Sequence, residues 1–153
     1  MAGQVQPVPH GYHTVTPYLV ADHAEKVIAF LQRAFDARLD QQPTRRPDGS
    51  IMHAAIRIGD SMVMIANSCE QAKAMPAMIY LYLPDVDAAY RRALDAGATS
   101  IMEPSDQFYG DRSGGVTDAS GNQWFMATHV EDVTPDEIER RAAEAQQRQK
   151  QTA

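Results

Sequence analysis

The chain alternates between short apolar runs and stretches of turn-forming residues. The apolar runs predict strands over residues 12–20, 51–58, 62–66, 78–83, 98–102, 116–118 and 124–128. Apolar residues at helical spacing predict one helix capped by Asp22, with Glu25 in the capping-box position, and a second that begins at Asp85. Gly97 is expected to end the second helix. Residues 105–115 are polar and rich in glycine, which predicts a loop.

The same pattern occurs twice. Residues 59–67 are echoed by residues 121–129: each stretch has a glycine, two polar residues, and then an apolar run. Upstream of these, residues 33–37 are echoed by residues 92–96 in the same order. Because an internal repeat strongly constrains a fold, the chain is predicted to contain two similar βαβββ modules with a pocket where they meet.

The ends of the chain differ from this repeated body. The predicted organisation is a flexible N-terminal segment at 1–10, one domain at 11–133 with modules at about 11–68 and 76–133, and a C-terminal helical arm at 134–153. Thr134 and Pro135 are typical of a helix start. The arm contains a single large apolar residue, Ile138, so it is expected to lie at the periphery.

Composition excludes several classes of protein. The 153-residue chain has a net charge of -6, which argues against nucleic acid as a partner. No apolar run approaches the roughly 18 residues of a membrane span, so no membrane is expected as a partner. The N-terminal sequence has no secretory signal pattern, and the single Cys69 fits a reducing compartment. A cytoplasmic location is therefore expected.

Several short motifs follow one another in a characteristic order along residues 11–141. They are Pro17-Tyr18-Leu19, Ala34-Phe35, His53-Ala54, Ile58-Gly59-Asp60-Ser61, Asp85-Val86-Asp87-Ala88, Ala96-Gly97-Ala98, Tyr109-Gly110-Asp111-Arg112, Gly121-Asn122-Gln123-Trp124 and 127–133. In these motifs the chain resembles the glyoxalase/bleomycin-resistance superfamily, also called vicinal oxygen chelate (VOC) proteins, and in particular its PhnB-like branch. The resemblance implies an α+β fold in which paired βαβββ modules form a half-open barrel.

The resemblance also implies a homodimer with pockets formed partly between chains. Members of the superfamily include isomerases, lyases, epimerases and dioxygenases, as well as metal-free proteins that sequester drugs. The fold alone therefore does not decide the function.

Metal-dependent members take His and Glu ligands from the first and last strands of each module. The corresponding positions here are Val15 and Met78 in the first strands, and Val63 and Phe125 in the last strands. All four side chains are apolar and cannot bind a divalent ion. No metal and no other cofactor is therefore predicted, and Zn, Ni, Mn or Fe is disfavoured.

A remodelled metal site remains an alternative. His13, His53 and His129 are the imidazoles that could supply it. Such a site would lack a carboxylate at the usual positions. The sequence does not exclude this arrangement.

Aromatic and polar residues supply the candidate ligand contacts. The predicted ligand-binding residues are His13, Tyr18, Tyr82, Arg112, Trp124 and Phe125. Trp124 would equally serve as core packing. Arg112 would either hold an anion through paired hydrogen bonds or fix its loop by pairing with Asp111 or Asp118.

Two residues are candidates for acid–base catalysis, His53 and Tyr109. The first hypothesis for function is a protein that binds a small organic ligand between its modules. The alternative is a VOC-type enzyme (an isomerase, lyase, epimerase or dioxygenase-like enzyme, with lyase or isomerase favoured) acting on a small oxygenated metabolite. A third is a dimer without a ligand, for which the polar C-terminal helix is the only hint. The sequence does not name the ligand or substrate.

Overall fold

The computed structural model describes residue 3 and residues 5–152, and these form two β-sheets and three helices. The strands are β1 (Tyr18–Ala21), β2 (Arg38–Leu39), β3 (Thr44–Arg45), β4 (Ile51–Ile58), β5 (Ser61–Asn67), β6 (Met78–Tyr82), β7 (Thr99–Asp106), β8 (Asp111–Thr117) and β9 (Gln123–His129). The helices are α1 (Ala24–Phe35), α2 (Val86–Asp95) and α3 (Pro135–Thr152). Residues 1, 2 and 4, part of the segment predicted to be flexible, lie outside the described residues, as does residue 153.

The two sheets have the same topology. In the first sheet the order is β1-β5-β4-β2, with β3 also paired to β4, and in the second it is β6-β9-β8-β7. In each sheet the first strand runs parallel to the last strand of its module, and the remaining pairs are antiparallel. This arrangement confirms the predicted pair of βαβββ modules. The described strands do not close into a barrel.

The two module helices begin in different ways. Asp85 is the N-cap of α2, and its carboxylate accepts a hydrogen bond from the Ala88 amide at 3.0 Å, as predicted. The predicted Asp22 cap of α1 is wrong, because His23 occupies that position without a side-chain cap. The Asp22 carboxylate accepts the Ser68 hydroxyl instead, so it ties α1 to the end of β5.

One hydrophobic core joins the modules. Helix α1 packs against α2, and the buried residues of both modules form a single cluster. At its centre Trp124 is fully buried, with its ring 6.4 Å from that of Phe30 and 5.8 Å from that of Phe35. Its indole N–H donates to the buried Asp118 carboxylate at 2.9 Å. Trp124 therefore holds the second sheet against α1.

The strand register gives the second sheet two different faces. Helix α2 packs on one face, which presents buried Val116, Trp124 and Met126. Residues that alternate with these point away from α2, because successive side chains of a strand lie on opposite sides. Tyr80 and Gly115 both pair directly with Phe125 on that side. We call it the open face of the second sheet.

Two predicted element boundaries are wrong. Strand β1 begins only at Tyr18, so the predicted strand 12–20 is mostly turns and bends, and Val15 is 83% exposed. Residues 105–115, predicted as a loop, hold the end of β7 and the first part of β8. Glycine lowers strand propensity, but Gly114 and Gly115 lie inside β8 because neighbouring groups leave no room for a side chain.

Helix α3 lies at the periphery, as predicted. Its start is capped by Thr134, whose hydroxyl accepts from the Glu137 amide at 3.4 Å. Arg141 anchors it through two hydrogen bonds of 2.9 Å to the Glu131 carboxylate. None of its described residues is fully buried. Within the described chain, no helix combines the length and apolarity needed to cross a membrane.

Candidate functional site

A row of large side chains stands exposed on the open face of the second sheet. Met78, Tyr80 and Tyr82 follow one another at every second position of β6 and are 64%, 42% and 66% exposed. The rings of the two tyrosines lie 5.4 Å apart. Contiguous exposed apolar patches often mark binding surfaces.

Phe125 continues this row on the neighbouring strand. A Cβ added to Gly115 would lie 2.8 Å from the Phe125 Cε1 atom and 2.9 Å from its Cδ1 atom. Any side chain at position 115 would therefore displace the ring. The glycine lets the half-buried ring lie over β8.

A cleft of about 480 Å³ opens beside β6. One wall contains Tyr80 and Tyr82, and the other is the turn between β4 and β5 at Gly59 and Asp60. This volume falls within the range of roughly 300–1,000 Å³ that is typical of small-molecule sites. The cleft therefore places the two tyrosine rings where a ligand of modest size could contact them.

A chain of hydrogen bonds lies at one end of the open face. The buried Asp111 carboxylate accepts the Tyr82 hydroxyl at 2.9 Å and lies 2.8 Å from the His129 Nδ1 atom. The other ring nitrogen of His129 lies 2.8 Å from an Asp132 carboxylate oxygen. The two carboxylates thus hold both nitrogens of the imidazole.

These contacts favour the protonated forms of the titratable groups at the site. The hydrogen bond with Asp111, and next that with Asp132, raise the pKa of His129. Burial is the main cause that raises the pKa of Tyr80 to about 12, and hydrogen bonding with Tyr109 is the second. The hydrogen bond to Asp111 raises the pKa of Tyr82. The hydroxyls therefore act as hydrogen-bond donors to a ligand or a neighbour, and not as bases.

The structure brings some of the predicted site residues together. Tyr82 and Phe125 share the open face, and Tyr109, in the turn before β8, contributes to the raised pKa of Tyr80. Tyr18 and His53 form a separate pair in the first sheet, where the Tyr18 hydroxyl lies 3.3 Å from the His53 Nδ1 atom. The two predicted catalytic residues, His53 and Tyr109, therefore belong to different sheets.

Arg112 and Trp124 lie on the side of the sheet that faces α2. The Arg112 guanidinium bonds the Asp87 carboxylate at 2.7 and 2.9 Å, and it also bonds Asp106. It thus ties β8 to α2 and to the end of β7, and its partners are not the predicted Asp111 and Asp118. The core surrounds Trp124, which a ligand on the open face cannot reach.

His13 is exposed ahead of β1, where its carbonyl accepts the Thr16 hydroxyl at 2.9 Å. Its predicted role in ligand binding stays a prediction. The sequence reasoning missed Asp111 and Met78 as site residues. The period-two alternation of Met78, Tyr80 and Tyr82 was the signal that could have revealed the row on β6.

The positions of the superfamily's metal ligands carry no hard or borderline donor groups. Met78 and Phe125 lie on the open face, but Val63 points toward α1. The first-module residue that corresponds to Phe125 is Met64, because Met64 pairs with β1 as Phe125 pairs with β6. All of these side chains are apolar and do not fit a metal ion. In the described part of the chain, no three His, Cys, Asp or Glu side chains are grouped to hold one. That the protein uses no metal stays a prediction.

Comparison with known proteins agrees with this architecture. The model of the Glyoxalase/Bleomycin resistance protein/Dioxygenase superfamily matches residues 11–126. The chain belongs to this superfamily. Two proteins described only as uncharacterized, one from Mycobacterium bovis and one from Mycobacterium tuberculosis, are 40% identical to it in alignments of 137 residues. Each alignment covers 82% of this chain, together with 89% of the M. bovis protein or 79% of the M. tuberculosis protein.

Several solved structures share the fold. TioX from Micromonospora sp. ML1 is 25% identical, with a TM-score of 0.63 over 77% of this chain and 99% of its own. A PhnB protein from Bacillus cereus is 16% identical, with a TM-score of 0.62 over 76% and 99%. TnmS3, an antibiotic binding protein from Streptomyces sp. CB03234, is 17% identical, with a TM-score of 0.61 over 76% and 95%. The predicted resemblance to VOC and PhnB-like proteins is confirmed.

Proposed function

We propose that this VOC protein binds a small organic molecule with a planar aromatic part on the open face of its second sheet. The exposed row of Met78, Tyr80 and Tyr82, beside a cleft of about 480 Å³, is the observation that carries the proposal. Aromatic rings offer large contact area and stack on planar ligands. The shared fold of the antibiotic binding protein TnmS3 is compatible with such a role.

The state of the titratable groups favours binding over catalysis at this site. A general base needs a free lone pair and a pKa near the working pH. Both nitrogens of His129 are held by carboxylates, and the Tyr82 hydroxyl donates to Asp111. The pKa of Tyr80 is raised to about 12. The open face therefore offers stacking and hydrogen-bond donation.

Fluorescence titration with 8-anilino-1-naphthalenesulfonate, followed by a panel of planar aromatic antibiotics, tests the proposal. Phe125→Leu removes an aromatic face while keeping a large apolar side chain, and we expect it to weaken binding by about tenfold. Tyr90→Phe is the matched control. Its hydroxyl bonds Ser100 at 2.6 Å, and Tyr90 lies on α2, away from the open face. Saturable binding that both variants leave unchanged would place the ligand elsewhere, and no binding by any compound would refute the proposal.

A VOC-type lyase or isomerase is the second candidate function, and His53 favours it. The half-buried imidazole lines a cavity of about 190 Å³ with Tyr12 and Gln42, and its Nδ1 atom faces the Tyr18 hydroxyl at 3.3 Å. An imidazole beside a bound substrate can serve as its general acid or base. Turnover of a small oxygenated substrate that is lost in a folded His53→Gln variant would select this candidate.

The homodimer implied by the superfamily is part of the same proposal. A partner chain could cover the exposed side chains of β6, among them Tyr82, which is 66% exposed. Light scattering of the protein in solution gives its mass directly. The 16.9 kDa value of one chain would contradict the dimer and leave the binding proposal in place.

A further inference from the structure

Three arginines line a second cleft, of about 540 Å³, where the two modules meet. Arg38 comes from β2, Arg57 from β4 and Arg92 from α2. Two carboxylates also line this cleft, Asp36 and Asp85. Cationic groups thus outnumber anionic ones here, in a chain whose net charge is -6.

The carboxylates leave much of this positive charge uncompensated. Asp36 approaches Arg92 only to 3.9 Å, and the Asp85 carboxylate accepts the Ala88 amide as the cap of α2. Among the ion pairs of residues 5–152, none includes Arg38 or Arg57.

Arg38 and Arg57 are moreover placed directly opposite each other. They are paired residues of the antiparallel strands β2 and β4, so their side chains emerge on the same face. Like charges in this position destabilise a sheet. An anion between the two guanidinium groups would attract both of them and so offset their repulsion. Guanidinium groups bind carboxylate or phosphate oxygens through paired hydrogen bonds.

The structure holds Arg57 in this position. Its guanidinium group lies against Gly11, whose missing side chain makes room for it, and Gly11 has a φ of +83° that only glycine adopts without strain. The arginine is half-buried. Its head group is therefore less free to move than that of an arginine exposed on a helix.

The arginine cleft adjoins the aromatic cleft. Both are lined by Gly59, in the turn between β4 and β5, and by Leu83, which follows β6. A single ligand could therefore contact the tyrosines of β6 with a ring and the arginines with an acidic substituent. The two clefts together offer a planar apolar surface next to a cationic one.

We propose that the ligand is an aromatic acid, with its ring against Tyr80 and Tyr82 and its carboxylate or phosphate between Arg38 and Arg57. This inference rests on the proposed function, because it assigns a chemical class to the ligand of the same open face. The carboxylate would lie toward α2, within reach of Arg92.

Calorimetric titration with 2-naphthoate and with the neutral 2-naphthamide separates the two proposals. The probes share one ring system and differ in charge. We expect the wild-type protein to bind the acid about tenfold more tightly than the amide, since hydrogen bonds to charged groups are the stronger ones. Arg38→Gln and Arg57→Gln should each remove most of this preference for the acid over the amide. Arg91→Gln, an exposed position on the same helix as Arg92, is the control and should keep the preference.

Each outcome has one meaning. Equal binding of acid and amide by the wild-type protein would overturn the aromatic-acid inference and leave the open-face function standing. A preference for the acid that survives in Arg38→Gln and Arg57→Gln would also overturn it, because the charge would then be recognised elsewhere. Binding of neither probe would overturn the inference, and the titration with the antibiotic panel would then decide the open-face function by itself. Arg38 is exposed, so its variant is expected to fold even if the Arg57 variant does not.

Discussion

Gly115→Ala is the substitution that most directly tests how the open face is built. The new Cβ atom would lie 2.8 Å from Cε1, 2.9 Å from Cδ1 and 3.2 Å from Cζ of Phe125. Carbon atoms are most stable about 3.5–4.0 Å apart, so the ring must recede by about 0.7 Å. It would recede into the space above the open face, where the ligand is proposed to stack.

The expected loss of stability is small. Overpacking costs about 1–3 kcal/mol, and the lower end applies here because Phe125 is only half-buried and can move outward. Replacing glycine by alanine also restricts the unfolded chain, which offsets about 0.4–1 kcal/mol. The net loss should therefore stay below about 1 kcal/mol, which lowers the melting temperature by no more than about 4 °C.

Gly114→Ala is the matched control on the adjacent residue. Its Cβ atom would point to the other face of β8 and lie 3.0 Å from the Met102 carbonyl oxygen and 3.1 Å from the Pro104 nitrogen. These are backbone atoms and yield less easily than a ring. We expect a larger loss of stability, about 2–3 kcal/mol, with the binding site unchanged.

Thermal unfolding and titration with 8-anilino-1-naphthalenesulfonate measure both effects in each variant. Gly115→Ala should weaken binding several-fold with little change in melting temperature. Gly114→Ala should lower the melting temperature and leave the affinity unchanged. Unchanged affinity in Gly115→Ala would refute the placement of the ligand over Phe125. So would equal weakening of binding in both variants.

Two further predictions concern the groups around the site. In His129→Asn the loss of unfolding free energy should be largest below pH 6.5 and should shrink as the pH rises. The folded state raises the pKa of His129 above its ordinary value of 6.5, so the stabilisation that His129 provides disappears when it loses its proton. A loss, measured by denaturant titration, that does not vary with pH would contradict this prediction. Trp124→Phe should cost about 2–4 kcal/mol, because Asp118 loses a charge-assisted hydrogen bond in the core and the smaller ring leaves a cavity. It should leave ligand affinity unchanged, and a variant of native stability with weaker binding would show that the indole contacts ligand.

The elements with a strong period could be predicted from the sequence. Strands β4, β5 and β6 and both module helices follow from alternation and helical spacing, and the Asp85 cap follows from local chemistry. The early part of β8 could not be predicted in this way. Its Gly114 and Gly115 oppose strand formation locally, and only the packed sheet shows why a side chain is excluded there.

The faces of the sheets were harder to predict than the strands. The β4–β5 turn joins the paired residues Ile58 and Ser61, whereas the β8–β9 turn joins Thr117 and Gln123, three residues longer. Each turn glycine lies two residues before the next strand, but Ser61 pairs with the core residue Ile58, whereas Gln123 pairs with Thr117 on the open face. Counting four residues from each glycine therefore reaches opposite faces, and Val63 was matched to Phe125 in place of Met64. A shift of one residue reverses every side chain of a strand.

The polar part of the site depends on contacts distant in sequence. Tyr82, Asp111 and His129 come from three different strands. No local pattern links a carboxylate at position 111 to a tyrosine at position 82. The same holds for Arg57 and Gly11, which meet only because the N-terminal segment passes over the guanidinium group.

Nuclear magnetic resonance of the protein labelled with ¹³C at its methionine methyl groups tests the proposed ligand site directly. Among its eight methionines, Met78 lies 64% exposed on the open face, and Met126 lies fully buried on the opposite side of the same sheet. On addition of 2-naphthoate, we expect a saturable shift of the Met78 signal, caused by the ring of the ligand, while the Met126 signal stays in place. A saturable shift at Met52 or Met75 with Met78 unmoved would refute the proposed site, because the ligand would then bind away from the open face.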